Sequence, residues 1–248
     1  LGLAREIAAA TNRTIQLPRV NAPRSNESTS SAITVENHDP LRCPRYTARV
    51  IRGVKIGPSP AWLQQRLIAI GQIPRNNVVD CTNFVLFEYG QPSHVFDLAT
   101  LRGNVIKIRS ANAGEEFLPI GDGAKSLKLT GGELVIADGE RPVALAGVKG
   151  GALTAVTDKT TDVVIEAASF DPVAVRRTGR STRISSDSSY RFERGVHLNK
   201  WLIDNSFMAL KAGALPGEAA GDFLREVDWS RTKAYAIGLS GIYLNLKG

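Results

Sequence analysis

Cysteine and histidine are scarce in this chain of 248 residues, which has two cysteines and three histidines. Cys43 and Cys81 do not have CxxC spacing, and the histidines are scattered along the sequence. Zinc sites and disulfide frameworks need clustered or regularly spaced ligands, so this pattern argues against both. We therefore expect no metal site, and we expect reduced thiols, as in a cytoplasmic protein.

Long apolar runs are missing as well. No run approaches the roughly 18 residues that a membrane helix needs, so we expect no membrane partner. The opening segment, LGLAREIAAATNR, lacks the charged start, long apolar centre and cleavage site of a secretory signal. The chain also has no initiator methionine, which is consistent with a cut inside a longer protein.

Positive charge is in excess, with a formal net charge of +7. A basic protein suits a polyanionic partner, because contacts to phosphate release counterions. Six of the arginines lie in RRTGRSTRISSDSSYRFERGV (residues 176–196), interleaved with small hydroxyl residues that also contact phosphate well. A solvated basic face is the alternative. The residues predicted to bind RNA are Arg176, Arg177, Arg180 and Arg183.

Three segments have the apolar spacing and end signals of helices. The first is GPSPAWLQQRLIAIG (57–71), where Ser59 is a candidate N-cap. The others are 78–90 and 171–180, the last with Asp171 as its cap. The apolar face of the first helix is predicted to consist of Trp62, Leu63, Leu67 and Ile70.

Short strands make up much of the rest. A β-branched strand is predicted over 46–54, and five more follow between residues 104 and 168, separated by turns that contain Gly and Asp. Residues 21–40 have the composition of a linker, with one strand in AITVE. Short strands at regular spacing favour a barrel or sandwich that carries helices at its edge.

Two turns and one strand hold candidate functional groups. His94 follows Gly-Gln-Pro-Ser, which predicts a polar group held at a pocket mouth or, alternatively, a hydrogen-bonded structural histidine. ALAGVKGG (144–151) is either a tight turn or a segment whose N–H groups face a ligand, and its spacing excludes the phosphate loop and the dinucleotide fingerprint. Glu166 interrupts an apolar strand and shares a face with Val164, so it must be paired, for instance with an arginine, or used.

From residue 41 to 197 the sequence resembles the phenylalanyl-tRNA synthetase beta subunit. The motifs that carry the resemblance are CPRYTARVIRGVKIGPSPAWLQQRL, NNVVDCTNFVLFEYGQPSHVFDL, LVIAD, PVALAGVKGG, VVIEAASFDPVAVRRTGR and SDSSYRFERGV. It implies the editing domain of that family, which hydrolyses tyrosine wrongly attached to the phenylalanine tRNA. It also implies an α+β fold in which short strands form a partly open barrel with flanking helices. We place this domain at 41–205, after an N-terminal helix and linker at 1–40.

The resemblance also implies roles for single residues. His94 and Ser186 correspond to catalytic positions, and Ser186 stands where the family has threonine. The substrate-binding positions are Asn83, Gly147, Gly150, Glu166 and Ser188. We expect these residues to lie in turns or at strand ends and to converge on one pocket. Further departures from the family pattern are Cys81, Val95 and Lys149.

The implied partners are tRNA and, in the parent enzyme, the alpha subunit, which holds the aminoacylation centre with its ATP and Mg. Editing itself needs no cofactor. The alternative is a non-catalytic module, derived from the same domain, that binds RNA or protein. Residues 206–248 form an atypical tail, of which 227–248 resembles the alkaline-phosphatase superfamily of metal-dependent phosphodiesterases. Because the metal-binding clusters of that superfamily are absent, we assign no metal site, and we expect the tail to pack poorly on the core.

Overall fold

The fold is that of a computed structural model. The residues that the structure describes are 2–17, 22, 25–184, 202–203, 206–212, 227–237 and 241–244. The chain divides into two compact units: the larger spans 23–190, and the smaller combines 1–22 with 191–248. The bounds predicted at residues 40 and 205 stay predictions.

The described residues contain both helices and strands, with helices of up to 13 residues and strands of up to 7 residues. The helices are α1 (Gly2–Ala10), α2 (Ala61–Ala69), α3 (Asn77–Tyr89) and α4 (Pro172–Thr182). The strands are β1 (Thr34–Asn37), β2 (Arg45–Ile51), β3 (His94–Asp97), β4 (Val105–Ser110), β5 (Glu116–Phe117), β6 (Leu127–Lys128), β7 (Leu134–Ala137), β8 (Pro142–Leu145), β9 (Lys149–Gly150), β10 (Val163–Ser169), β11 (Ala234–Ile237) and β12 (Gly241–Leu244).

Two open sheets organise the larger unit. One has five strands in the order β1-β4-β7-β8-β9, in which β1 runs parallel to β4 and the other neighbours are antiparallel. The other is antiparallel, in the order β2-β10-β3. The short β5 and β6 pair with each other. The α+β fold is confirmed, and within the described part of the chain no sheet closes into a barrel.

The two sheets share one apolar core. Phe96 and Val164 enter it from the three-stranded sheet, and Ile106, Ile108 and Ile136 enter it from the five-stranded sheet. All five side chains are almost fully buried. Because each buried side chain of this size contributes about 1.5–3 kcal/mol, this cluster holds the two sheets together and fixes the position of β3 and β10.

Helix α2 differs from its predicted form at two points. Its N-cap is Pro60, which makes no side-chain cap bond, whereas the Ser59 hydroxyl donates to Asp80 Oδ2 over 2.6 Å. Leu63 and Leu67 are buried, as predicted, because they are four residues apart and so share a face. The other two members of the predicted face are solvent-exposed, Trp62 by 53% and Ile70 by 43%.

Helix α3 lies beside α2 and begins at a side-chain cap. The Asn76 side-chain oxygen accepts hydrogen bonds from the backbone N–H groups of Val78 and Val79, over 3.1 and 2.9 Å. The helix ends at Gly90, the predicted position. Between these ends, α3 carries Asn83 toward the strands.

Helix α4 follows β10 directly. Asp171 caps it, as predicted, by accepting from the Ala174 N–H over 2.8 Å. Val175 packs against a second buried cluster, which includes Phe117, Val135 and Leu145. The helix is therefore held against the five-stranded sheet along its first turns.

The smaller unit has a small apolar cluster of its own, formed by Leu202, Met208 and Val227. Strands β11 and β12 form an antiparallel hairpin in this unit. The predicted poor packing of the tail on the core stays a prediction.

Replacing the cap of α3 should weaken the larger unit. Asn76→Ala removes the acceptor for two N–H groups, so we expect the free energy of unfolding to fall by about 1 kcal/mol in chemical denaturation. Asn76→Asp keeps a good capping side chain and serves as the control. Equal stability of the alanine and aspartate variants would contradict the assigned cap.

Candidate functional site

A cavity of about 660 Å³ opens in the larger unit, between α3, the end of β10, the start of α4 and the β8–β9 hairpin. Five of the residues predicted to bind or act on a substrate line it: Asn83, His94, Gly147, Gly150 and Glu166. Ser186 and Ser188, the other two, lie outside the described residues. Residues more than eighty positions apart in sequence thus meet at one cavity.

The positions of these residues on secondary structure differ from the prediction. Asn83 lies in the middle of α3, and Glu166 lies in the middle of β10. His94 is the first residue of β3. The prediction that all of them lie in turns or at strand ends is therefore wrong, because a helix face and a strand interior contribute to the cavity as well.

Pairing of β3 with β10 places His94 directly opposite Glu166. Directly opposed residues of antiparallel strands have Cα atoms about 4.5–5.5 Å apart and side chains on the same face of the sheet. The imidazole and the carboxylate therefore project to the same side, within reach of one small ligand.

Glu166 is a buried carboxylate, exposed by only 5%. Tyr46 on β2 donates its hydroxyl to Glu166 Oε2 over 2.9 Å. Burial raises the pKa of Glu166 to about 7, and the hydrogen bond from Tyr46 opposes that rise. Among the described residues no ion pair involves Glu166, so its partner there is a phenol and not the arginine of the alternative prediction.

Tyr46 was not singled out from the sequence. The available signal was its place in the predicted strand, at a spacing that puts it on the same face as Ala48, the residue paired with Glu166. This spacing indicates that Tyr46 lies near Glu166 only if β2 is already known to pair with β10.

His94 is neutral at physiological pH. Burial, assisted by the positive charge of Lys149, lowers the pKa of His94 to about 4. Its ring packs edge-on against Phe96, with centroids 4.5 Å apart. The buried Nε2 has no hydrogen-bond partner in the described part of the chain, so the ring is not the fully bonded structural histidine of the alternative prediction.

Two glycines are required by their surroundings. A Cβ on Gly150 would overlap the His94 ring. Gly147 has φ of +68°, and a Cβ there would lie 2.8 Å from Val175 Cγ2. The glycine motif therefore lets the β8–β9 turn approach His94 and α4 closely.

The arginines of α4 line a second cavity of about 610 Å³, formed by Val173, Arg176, Arg177, Arg180 and Ser181. Arg176 lines the first cavity too. Arg183 lines neither; it ends α4 with φ of +57°. None of the ion pairs among the described residues involves these four arginines, so α4 presents a strongly positive surface beside the site.

Within the described residues no group of three or more His, Cys, Asp and Glu side chains could hold a metal ion. No helix in that part of the chain is long and apolar enough to cross a membrane.

Glu166→Gln should change the pH dependence of stability. The pKa of Glu166 is raised in the folded state, so between about pH 4.5 and 7 the folded protein binds a proton that the unfolded chain has released. Wild-type stability should thus fall relative to the glutamine variant as pH rises through this window, by about 2–3 kcal/mol, and level off above pH 7. Denaturation of both proteins at pH 5 and pH 8 measures this change. If the difference in free energy of unfolding between the two proteins does not depend on pH, the pKa of Glu166 is not raised by burial.

Comparison with known proteins places these features in a family. The profile of the B3/4 domain matches residues 42–204, most of the larger unit and all of the first cavity. A solved N-terminal fragment of the phenylalanyl-tRNA synthetase beta-subunit from Pyrococcus horikoshii is similar over 73% of this chain and 56% of the fragment's own chain, with a TM-score of 0.42 and 17% sequence identity.

Three curated relatives are each named phenylalanine–tRNA ligase beta subunit. That of Fusobacterium nucleatum is 43% identical over 92% of this chain and 28% of its own length. That of Moorella thermoacetica is 49% identical over 80% of the chain and 24% of its own length, and that of Thermotoga maritima is 40% identical over 92% and 28%. The chain spans about a quarter of the length of these relatives. It belongs to the B3/4 domain family and is homologous to phenylalanine–tRNA ligase beta subunits.

Proposed function

We propose that this chain is a proofreading domain that hydrolyses tyrosine mischarged on phenylalanine tRNA. The observation that carries the proposal is the cavity in which a buried carboxylate, Glu166, lies opposite a neutral imidazole, His94. A cavity of about 660 Å³ is within the usual range for small-molecule sites and has room for an aromatic amino acid ester. The homology to phenylalanine–tRNA ligase beta subunits supports the same substrate class.

Recognition of tyrosine rests on Glu166. Tyrosine differs from phenylalanine by one hydroxyl, and an apolar synthetic pocket rejects such an addition only weakly. A site that must hydrogen-bond the hydroxyl can reject phenylalanine far more strongly, because its buried acceptor would then stay unpaired. A second, hydrolytic site with a buried carboxylate therefore supplies the discrimination that the synthetic site lacks.

Hydrolysis of the ester needs a positioned water and donors for the developing oxyanion. The unbonded Nε2 of His94 can orient that water, since the neutral ring either accepts or donates a hydrogen bond. Backbone N–H groups of the turn that contains Gly147 and Gly150 are the candidate oxyanion donors. An aminoacyl ester is already activated, so no nucleophilic side chain and no covalent intermediate is required.

The remaining predicted residues keep their proposed roles. Asn83 contacts the substrate from α3, and Ser186 and Ser188 position water and substrate from the segment that follows α4. In the parent ligase the partners are tRNA and the alpha subunit, in the cytoplasm, and ATP with Mg serves aminoacylation there. Editing uses no cofactor. The likeness of the tail at 227–248 to the alkaline-phosphatase superfamily stays a prediction, with no metal site assigned.

A non-catalytic module that binds RNA or protein is the second candidate. Lys149 favours it, because this cation lines the cavity where the family usually has methionine or another apolar residue. Deacylation of mischarged tRNA separates the two, since only the proofreading domain accelerates it.

Substitutions at the two opposed residues should have different effects. Glu166→Ala removes the acceptor for the phenol, so the preference for the tyrosine ester over the phenylalanine ester should fall by about 1–3 kcal/mol. His94→Ala should slow both esters alike, because His94 acts on water and ester, not on the ring. Deacylation rates of the two mischarged tRNAs measure this.

Thr47→Val, which changes an exposed side chain of β2, is the control and should leave both rates unchanged. If Glu166→Ala slows hydrolysis of the tyrosine ester and of the phenylalanine ester equally, Glu166 does not recognise the tyrosine hydroxyl.

The second cavity, which the arginines of α4 line, should bind tRNA phosphate. Each of the substitutions Arg176→Ala, Arg177→Ala and Arg180→Ala should weaken tRNA binding. Each should also reduce by about one the slope of the logarithm of the binding constant against the logarithm of the salt concentration. Arg49→Ala, at an exposed position of β2, is the matched control and should leave the slope unchanged. Binding that does not respond to salt would leave the arginines as a solvated basic face.

A further inference from the structure

Tyr46 hydrogen-bonds to the carboxylate of Glu166 without lining the cavity itself. Tyr46 and Ala48 face the core from β2, whereas Thr47 is exposed. Glu166 pairs with Ala48, so Tyr46 is its diagonal neighbour on the same face of the sheet, within reach of an aromatic side chain. Glu166 lines the cavity and Tyr46 does not. The carboxylate therefore lies between the Tyr46 hydroxyl and the space where a ligand would bind.

The two oxygens of this carboxylate have different surroundings. Oε2 accepts the Tyr46 hydroxyl over 2.9 Å. No described residue donates to Oε1. A hydrogen bond to a charged acceptor is stronger than one between neutral groups, so it holds this buried carboxylate in one orientation.

We propose that Tyr46 is the positioning residue of the site: its hydroxyl holds Oε2 of Glu166, which leaves Oε1 as the acceptor for one phenolic hydroxyl of the ligand. This inference rests on the proposed function and deepens it, since it assigns the specificity for a phenol to a pair of residues, Tyr46 and Glu166. The bound state is a chain of two hydrogen bonds in which two phenols donate to one carboxylate.

Tyr46 also favours the ionised form of Glu166, because its donor stabilises the negative charge that burial destabilises. Other ionisable groups lie near this carboxylate, and for two of them burial moves the pKa well away from that of Glu166: the pKa of Cys43 rises to about 11, and the pKa of His94 falls to about 4. Two cations, Lys149 on β9 and Arg176 on α4, line the same cavity as Glu166. The effect of removing the Tyr46 hydroxyl can therefore be measured as a change in the pKa of Glu166.

A purely structural role for Tyr46 makes a different prediction. A tyrosine that only fills the core would contribute its ring, and Phe would replace it without effect on Glu166. Tyr46→Phe keeps the ring and removes the hydroxyl, so it separates the two roles. Thr47→Val is the matched control, because it removes a hydroxyl that donates to Ala167 across the same strand pair.

The first measurement does not depend on activity. Carbon-13 NMR of labelled glutamate carboxylates follows the titration of Glu166 in the full chain, and Glu166→Gln identifies its signal. In Tyr46→Phe the midpoint should rise by about one pH unit, whereas in Thr47→Val it should not move. A folded Tyr46→Phe protein with an unchanged Glu166 midpoint would overturn the proposal.

The second measurement compares the hydrolysis of the tyrosine ester with that of the phenylalanine ester. Tyr46→Phe should lower the preference for the tyrosine ester over the phenylalanine ester about tenfold at pH 7, and should move the pH profile of tyrosine-ester hydrolysis upward together with the NMR midpoint. Hydrolysis of the phenylalanine ester should be unaffected. An equal loss for both esters, without a shift of the profile, would mean that Tyr46 is structural.

Two outcomes keep the inference separate from the proposed function. If the wild-type chain hydrolyses neither ester, the proofreading function fails, and the NMR titration still decides whether Tyr46 controls Glu166. If Tyr46→Phe does not fold, 3-fluorotyrosine in place of Tyr46 is a smaller change with a more acidic phenol. It should lower the Glu166 midpoint, and no shift there would refute the positioning role.

Discussion

Pairing of β3 with β10 is the constraint on which the site depends. It places His94 opposite Glu166, and the same strands deliver Phe96 and Val164 to the core shared by both sheets. Burial of those apolar side chains keeps the two polar residues in an environment with little water. The large and opposite pKa changes of His94 and Glu166 follow from that one arrangement, because low polarity disfavours the charged form of each.

Different kinds of ionisable group line the two cavities. The neutral imidazole of His94, the buried carboxylate of Glu166 and the cation Lys149 line the first cavity, and Arg176 lines both this cavity and the second one, which Arg177 and Arg180 line as well. This arrangement is what the proposed substrate would require, because an aminoacyl ester of tRNA joins an aromatic side chain to a polyanion. Apolar contacts and one carboxylate can then select the amino acid, while phosphate contacts supply affinity that does not depend on it.

Several features were predictable from local sequence. The end of α3 at Gly90, the cap of α4 at Asp171 and the strand that contains Glu166 agree with the structure because each depends on neighbours within a few residues. The face of α2 was predicted less well. Trp62 lies one residue from the buried Leu63, about a third of a turn around the helix, and tertiary packing leaves Trp62 53% exposed although its ring meets Phe84 of α3 edge-on.

By itself, the sequence determined helices α2 to α4, several strands, among them β2, β4 and β10, the excess of positive charge and the presence of a carboxylate that an apolar strand cannot leave unpaired. Which group pairs with Glu166 was decided by tertiary structure. Its partner lies 120 residues away, on a strand whose register with β10 depends on burying one face of the sheet, and a slip of one residue would turn Tyr46 toward solvent. A long-range register of this kind leaves no local signal, because it depends on the packing of two sheets around a common core.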